Sequence, residues 1–138
     1  MELPYIAGLF DGEGTIGITK ATPGTGNRNR PVVAVCMTHE RTIRALQAAL
    51  GGSVREVDAA KYNPNAATRY DWRLTGQAAL DFVESVRPWL ITKRDQAEIV
   101  LRFETHQRGR RLTEDQRAAR EDLRLELAAA NKRGVNHG

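Results

Sequence analysis

The stretch Ile6-Ala7-Gly8-Leu9-Phe10-Asp11-Gly12-Glu13-Gly14, followed by Thr15-Ile16-Gly17-Ile18-Thr19, decides the reading of this chain. Its first part is apolar and helical in pattern, with Ala7, Gly8 and Gly12 small enough for another backbone to approach closely. Its second part alternates with a period of two, which predicts a strand. Glu13 stands at the junction between two glycines, so a carboxylate is placed where a helix ends and the chain turns.

Outward from this junction the periods continue to alternate. Pro4 suits a first helical turn, and Leu3, Ile6, Ala7, Leu9 and Phe10 supply an apolar surface. Ile16 and Ile18 share one face of the first strand. A second strand from about Arg30 to Thr38 turns Val33, Val35 and Met37 the same way, across a loop from Thr22 to Asn29 with Pro23, Gly24 and Gly26. Glu40 to Leu50 has Ile43, Leu46, Ala49 and Leu50 at helical spacing, stopped by Gly51-Gly52. Ser53 to Val57 and Ala67 to Thr75 form a second hairpin, linked by Lys61-Tyr62-Asn63-Pro64-Asn65. Its second strand sets Tyr70, Trp72 and Leu74 against Arg69, Asp71 and Arg73. A third helix runs from Gly76 to Trp89, where Pro88 helps to end it, and a fourth from Lys93 to about Arg108. The order is αββαββα, then more helix: an α+β chain.

The 138 residues have room for one core, taken as residues 1–110 with 111–138 as a helical extension of the same domain. Thr113 is a good N-cap for that extension; Leu123 and Leu127 are its docking residues, and Asn131 to Gly138 is expected to fray. Net charge is +4 and the isoelectric point near 9.6, a balance that fits a polyanionic partner. The distribution is more telling, because Thr15 to Leu74 carries nine Lys and Arg against four acids and the remainder is about neutral. The single Cys36 excludes an internal disulfide and makes a zinc site improbable. No run reads as a membrane span or signal peptide, so an intracellular protein with no membrane partner is expected.

Residues 6–14 resemble the motif of the LAGLIDADG homing endonucleases and maturases. Ile6, Ala7, Gly8, Leu9 and Asp11 match, and Glu13 falls where that family has its metal-binding acid. The likeness extends over roughly the first 110 residues through the αββαββα order. It implies a four-stranded antiparallel saddle lying in the major groove of double-stranded DNA. One motif per chain implies a homodimer, with Ile6, Ala7, Gly8, Phe10 and Asp11 at its interface. It further implies Mg2+ held through Glu13 and Gly12, with Mn2+ substituting and Ca2+ supporting binding without cleavage. Asp11 is expected to make hydrogen bonds at the helix end, since the family's catalytic acid is the next one along.

A ribbon of two strands fits the major groove, whose edges distinguish all four base pairs. By alternation the outward set is Thr15, Thr19, Arg30, Thr38, Ser53, Arg55, Arg69, Asp71 and Arg73, to which Arg28 in the loop is added. Resemblance also implies an auxiliary catalytic lysine after the third helix, here Lys93, and a water-ordering residue after the second strand, here His39 in place of the usual Gln. A basic residue often found one helical turn later falls on Ile43, which is unable to do that work; Arg41 or Arg44 would substitute only if turned toward the pocket. Arg108, Arg110, Arg111 and Arg117 are candidates for flanking phosphates, with a solvated helix equally consistent. The activity implied is a site-specific double-strand break in a long pseudo-palindromic target, as in intron or intein mobility. The alternative is a non-cleaving relative: a maturase binding RNA, or a DNA-binding regulator.

Overall fold

The computed structural model describes residues 1–58, 64–105 and 111–136. Helix α1 (Leu3–Glu13) has Pro in its first turn, where the missing N–H costs no hydrogen bond, and buries Ile6, Ala7 and Phe10. It passes without a linker into β1 (Gly14–Ile18). The transition needs glycine for space: a Cβ on Gly14 would stand 2.2 Å from the Phe10 ring and 2.6 Å from the Phe10 carbonyl oxygen. That ring cannot yield, because it packs edge-on against Phe82, and Phe82 in turn against Trp72. Gly14→Ala is therefore expected to destabilise the fold by about 3 kcal/mol, read as a lowered midpoint in urea.

The remaining elements follow the expected order: β2 (Pro31–Met37), α2 (Glu40–Leu50), β3 (Ser53–Val57), β4 (Arg69–Thr75), α3 (Gln77–Val86), α4 (Arg94–Val100) and α5 (Glu114–Asn136). The strands form one antiparallel sheet in the order β1-β2-β4-β3. Its inner face presents Ile16, Ile18, Val33, Val35, Trp72 and Leu74 to α1 and α3. Trp72 is fully buried and gives its indole N–H to the Gly51 carbonyl at 2.8 Å, so the turn after α2 is tied to the middle of β4. That turn uses Gly51 and Gly52 at φ 75° and 92°. Of the linker to β4, residues 59–63 lie outside the described residues, and Pro64 and Asn65 form a turn.

Strand β4 begins at Arg69, two residues later than expected, and three helix ends differ from expectation. Helix α3 stops at Val86, and Arg87–Trp89 continue as a 3-10 turn around Pro88. Helix α4 ends at Val100 instead of near Arg108, because the amides of Arg102 and Phe103 close back on the carbonyls of Ile99 and Val100 and roll Phe103 into the core. Its expected last residues, 106–108, lie outside the described residues.

The third difference is the largest. Helix α5 does not fray from Asn131 but continues to Asn136. Thr113 and Gln116 cap its start reciprocally, at 3.1 and 2.8 Å. Leu123, Leu127 and Ala130 are buried against α4 and β1. The Asn131 side chain donates to the Ile16 carbonyl at 2.9 Å, an oxygen on the open edge of the sheet. An edge carbonyl shielded from solvent is thereby satisfied, which fastens the helix to the sheet edge at Asn131. Among the described residues no helix is long and apolar enough to cross a membrane.

Candidate catalytic centre and nucleic-acid interface

Glu13 is the last residue of α1 and is exposed, as is Gly12 beside it. Asp11 is held differently. Its carboxylate accepts the backbone N–H groups of Ile91, Thr92 and Lys93 at 3.1, 3.0 and 2.9 Å, pinning the turn between the 3-10 segment and α4 to the end of α1. Burial pushes the Asp11 carboxyl upward, but the three backbone donors and the Lys93 charge leave it below the usual value. The hydrogen-bonding role expected for Asp11 is the one observed, within its own chain.

Pinning this turn also places Lys93. Its ammonium donates to the Asp11 main-chain carbonyl at 2.8 Å and is partly buried. Burial lowers its pKa, opposed by the negative charges of Asp11 and Glu13. The fold has thus brought Lys93, eighty residues along the chain from Glu13, into that carboxylate's field. Among the described residues no group of three or more His, Cys, Asp and Glu side chains is placed to hold a metal ion. At this helix end one chain offers the exposed carboxylate of Glu13 and, at Gly12, one of the helix-end carbonyls that the α-helical ladder leaves without a donor. These are hard oxygens of the kind that would suit a divalent cation such as magnesium.

His39 is the N-cap of α2, at the end of β2. Its Nδ1 accepts the Thr42 amide at 3.3 Å and lies 2.7 Å from the Thr42 hydroxyl, so that nitrogen is committed to the helix and only Nε2 is free for a water. No hydrogen bond or ion pair among the described residues joins His39 to Glu13 or Lys93. Ile43 is fully buried, and Arg44 faces Glu40 and Glu56 at 3.5 and 3.7 Å. Arg41 is exposed.

The sheet's outer face carries the predicted reading residues, in rows that follow from the register. Thr15, Ala34, Arg73 and Ser53 lie across the four strands, and Cys36, Asp71 and Arg55 make the next row. Thr15, Arg28, Arg30, Thr38, Arg55, Arg69 and Arg73 are exposed. Two of the expected readers are otherwise engaged. Asp71 is only 6% exposed, accepting Arg73 Nε at 2.9 Å and standing 3.7 Å from an Arg55 amino group, so it holds two arginines instead of presenting its own oxygens. The Thr19 hydroxyl donates to the Arg28 carbonyl and accepts the Arg30 amide, both at 2.9 Å, so it shapes the hairpin.

The expected dimer face requires correction. Ile6, Ala7 and Phe10 are at most 2% exposed within this one chain and belong to its own core. The free face of α1 is Tyr5, Gly8 and Gly12, where a Cβ on either glycine would meet nothing within 4 Å. Both faces of α1 are apolar or small, so periodicity alone could not assign them.

Of the tail arginines, Arg111 and Arg117 line a cleft of about 550 Å³ opposite Arg28 and the β1–β2 loop, whereas Arg108 and Arg110 lie outside the described residues. Sequence reasoning passed over Asn29 and Glu121. Asn29 is 4% exposed and donates to both the Thr19 carbonyl and Glu121. The alternation of Arg28, Asn29 and Arg30 was the available signal, since two outward arginines imply an inward residue between them.

No protein-family model matches the sequence, and no curated protein matches it. Solved structures do. An archaeal intron-encoded homing endonuclease complexed with DNA, I-Vdi141I, superposes with a TM-score of 0.68 at 20% identity, over 93% of this chain and 82% of that one. The homing endonuclease I-TnaI gives 0.64 at 22% identity, over 99% and 97%. The homing endonuclease I-CvuI, in complex with its target in the presence of calcium, gives 0.60 at 19%, over 88% and 93%. The fold of this chain is that of the LAGLIDADG homing endonucleases.

Proposed function

We propose that this chain is a single-motif homing endonuclease of the LAGLIDADG type. As a homodimer it would make a site-specific double-strand break in pseudo-palindromic DNA by magnesium-dependent hydrolysis. The observation that carries this reading is the convergence of Glu13, Asp11 and Lys93 at the end of α1, on the sheet whose outer face bears Arg30, Arg55, Arg69 and Arg73. Two further facts support it. The three structures named above are homing endonucleases, one described with DNA and one with its target, and between 82% and 97% of their chains is covered, which accords with one motif per chain.

The free face of α1 fits the two-fold contact, because Gly8 and Gly12 let two copies of the helix approach without side chains between them. That contact would set two Glu13 carboxylates near one axis, between the two scissile phosphates. Magnesium, when bound by Glu13 and the Gly12 carbonyl, would neutralise phosphate charge and activate a water. Lys93, close to Glu13 and partly desolvated, would stabilise negative charge at the reacting phosphate. The outer sheet face would read bases. Asp71 fixes Arg73 through Nε and leaves its two amino groups free for the paired acceptors of guanine.

Arg73→Ala is expected to relax base preference at one position per half-site by about 2 kcal/mol with other positions retained, measured by selection from a library randomised at each position. Incubation of the purified protein with a randomised pseudo-palindromic duplex library in magnesium, and in parallel in calcium, tests the whole reading. Paired cuts in magnesium alone support it. Selective retention without cuts would favour a DNA-binding regulator or RNA-binding maturase, a reading to which the capped His39 and buried Ile43 lend support. The same assay on structured RNA would then separate those two.

A further inference from the structure

Helix α5 lies along β1, the edge strand that begins beside Glu13, and is fastened once to that strand and once to the hairpin beyond it. At the near place Asn131 holds the Ile16 carbonyl. At the far place Asn29, in the hairpin, spends both amide hydrogens: one on the Thr19 carbonyl at 2.9 Å and one on Glu121 at 3.1 Å. Glu121 is itself fixed, since Arg124 Nε meets its two oxygens at 2.9 and 3.0 Å. Thr19 secures the backbone on either side of Asn29 through the Arg28 carbonyl and the Arg30 amide. The two exposed arginines of the hairpin therefore flank a buried residue held by a helix ninety-two positions further along the chain.

We propose that Glu121 and Asn29 form a brace that sets the direction in which the β1–β2 hairpin presents Arg28 and Arg30, making α5 a determinant of base preference at the outer part of the half-site. This rests on the DNA-binding reading above. Thr19 is five residues beyond Gly14, which places this end of the strand roughly 17 Å from the catalytic end, about five base pairs of duplex. Glu121 and Asn29 act as positioning residues and read no base. Direction matters because a bidentate arginine contact to guanine is selective only when the guanidinium lies in the plane of the base, whereas attraction to phosphate needs charge alone. Without the brace, a two-stranded ribbon at a sheet edge is free to twist.

The test is a library selection with the full chain as wild type, Glu121→Ala, Asn29→Ala and Glu121→Gln, together with the salt dependence of binding to the selected site. Both alanine variants are expected to lose about tenfold in discrimination at the positions about five base pairs from the centre. Positions facing Arg55 and Arg73 should keep their preference. The salt slope should be unchanged, because no phosphate-facing cation is removed. Glu121→Gln retains an oxygen that accepts from Asn29 and should restore most of the discrimination. An unchanged profile in Glu121→Ala, or an equal loss at every position with no rescue by Gln, would overturn the brace. If the wild type selected no sequence at all, the functional reading itself would fail and this inference with it. Failure of the brace alone leaves wild-type selection intact, so the two failures are told apart.

Discussion

Glu13→Gln is expected to remove DNA cleavage while leaving selective binding in place. Gln has the shape of Glu and keeps an oxygen, but it lacks the anion that holds a divalent cation against the pull of water. Glu13 is exposed at the helix end, so the fold should be unaffected. Loss of the cation costs about 4 kcal/mol of barrier, roughly a thousandfold in rate. The measurement is single-turnover cleavage in magnesium beside equilibrium binding in calcium. Normal cleavage by the variant would place the metal site elsewhere. Loss of binding and cleavage together would mean that Glu13 shapes the DNA face.

Asp11→Asn is expected to be as damaging to the turn at Ile91–Lys93 as Asp11→Ala, although Asn is isosteric. All three partners of the carboxylate are N–H donors, and Asn would turn an amino group toward at least one of them. Ile91 and Thr92 are exposed, so water can take their amides; the Lys93 amide is less accessible. The cost in stability is therefore about 2 kcal/mol rather than three full bonds. The cost to activity should be greater, because Lys93 is placed by the same turn and a displacement of its ammonium removes it from the Glu13 field.

Stability against pH gives a second readout. The folded Asp11 carboxyl titrates below its ordinary value of 3.8, so the unfolded chain binds its proton first as pH falls. Its contribution is present above that value and is lost as pH drops through the lower folded one. Urea midpoints of Asp11→Asn should accordingly converge with wild type in acid and diverge above about pH 4. A constant gap across pH would mean that the carboxylate's charge contributes nothing to the turn.

Most of the architecture was legible in the residues because it follows from local periodicity. Ile16 and Ile18, Val33 and Val35, and Trp72 and Leu74 each declare an inward strand face by alternation, and Gly14 and Gly51-Gly52 mark the breaks. The acid at position 13 and the lysine at 93 were singled out through resemblance; the structure places Lys93 within the electrostatic reach of Glu13, which no local periodicity could show. Three things required the tertiary structure. Which face of α1 is free depends on where α3 packs, and that contact buries Ile6, Ala7 and Phe10 while leaving Gly8 and Gly12 open. The state of Asp71 depends on sheet register, because only the pairing of Arg55 with Asp71 across β3 and β4 reveals that the acid holds arginines. The docking of α5 depends on the sheet and hairpin it meets: a charged helix with a weak apolar stripe is fastened there by a distant asparagine at Glu121 and a distant carbonyl at Asn131. Periodicity is a property of neighbours along the chain, so it assigns faces and turns; hydrogen bonds and packing between segments eighty or more residues apart cost chain entropy that only the folded whole offsets, and only there do they become visible.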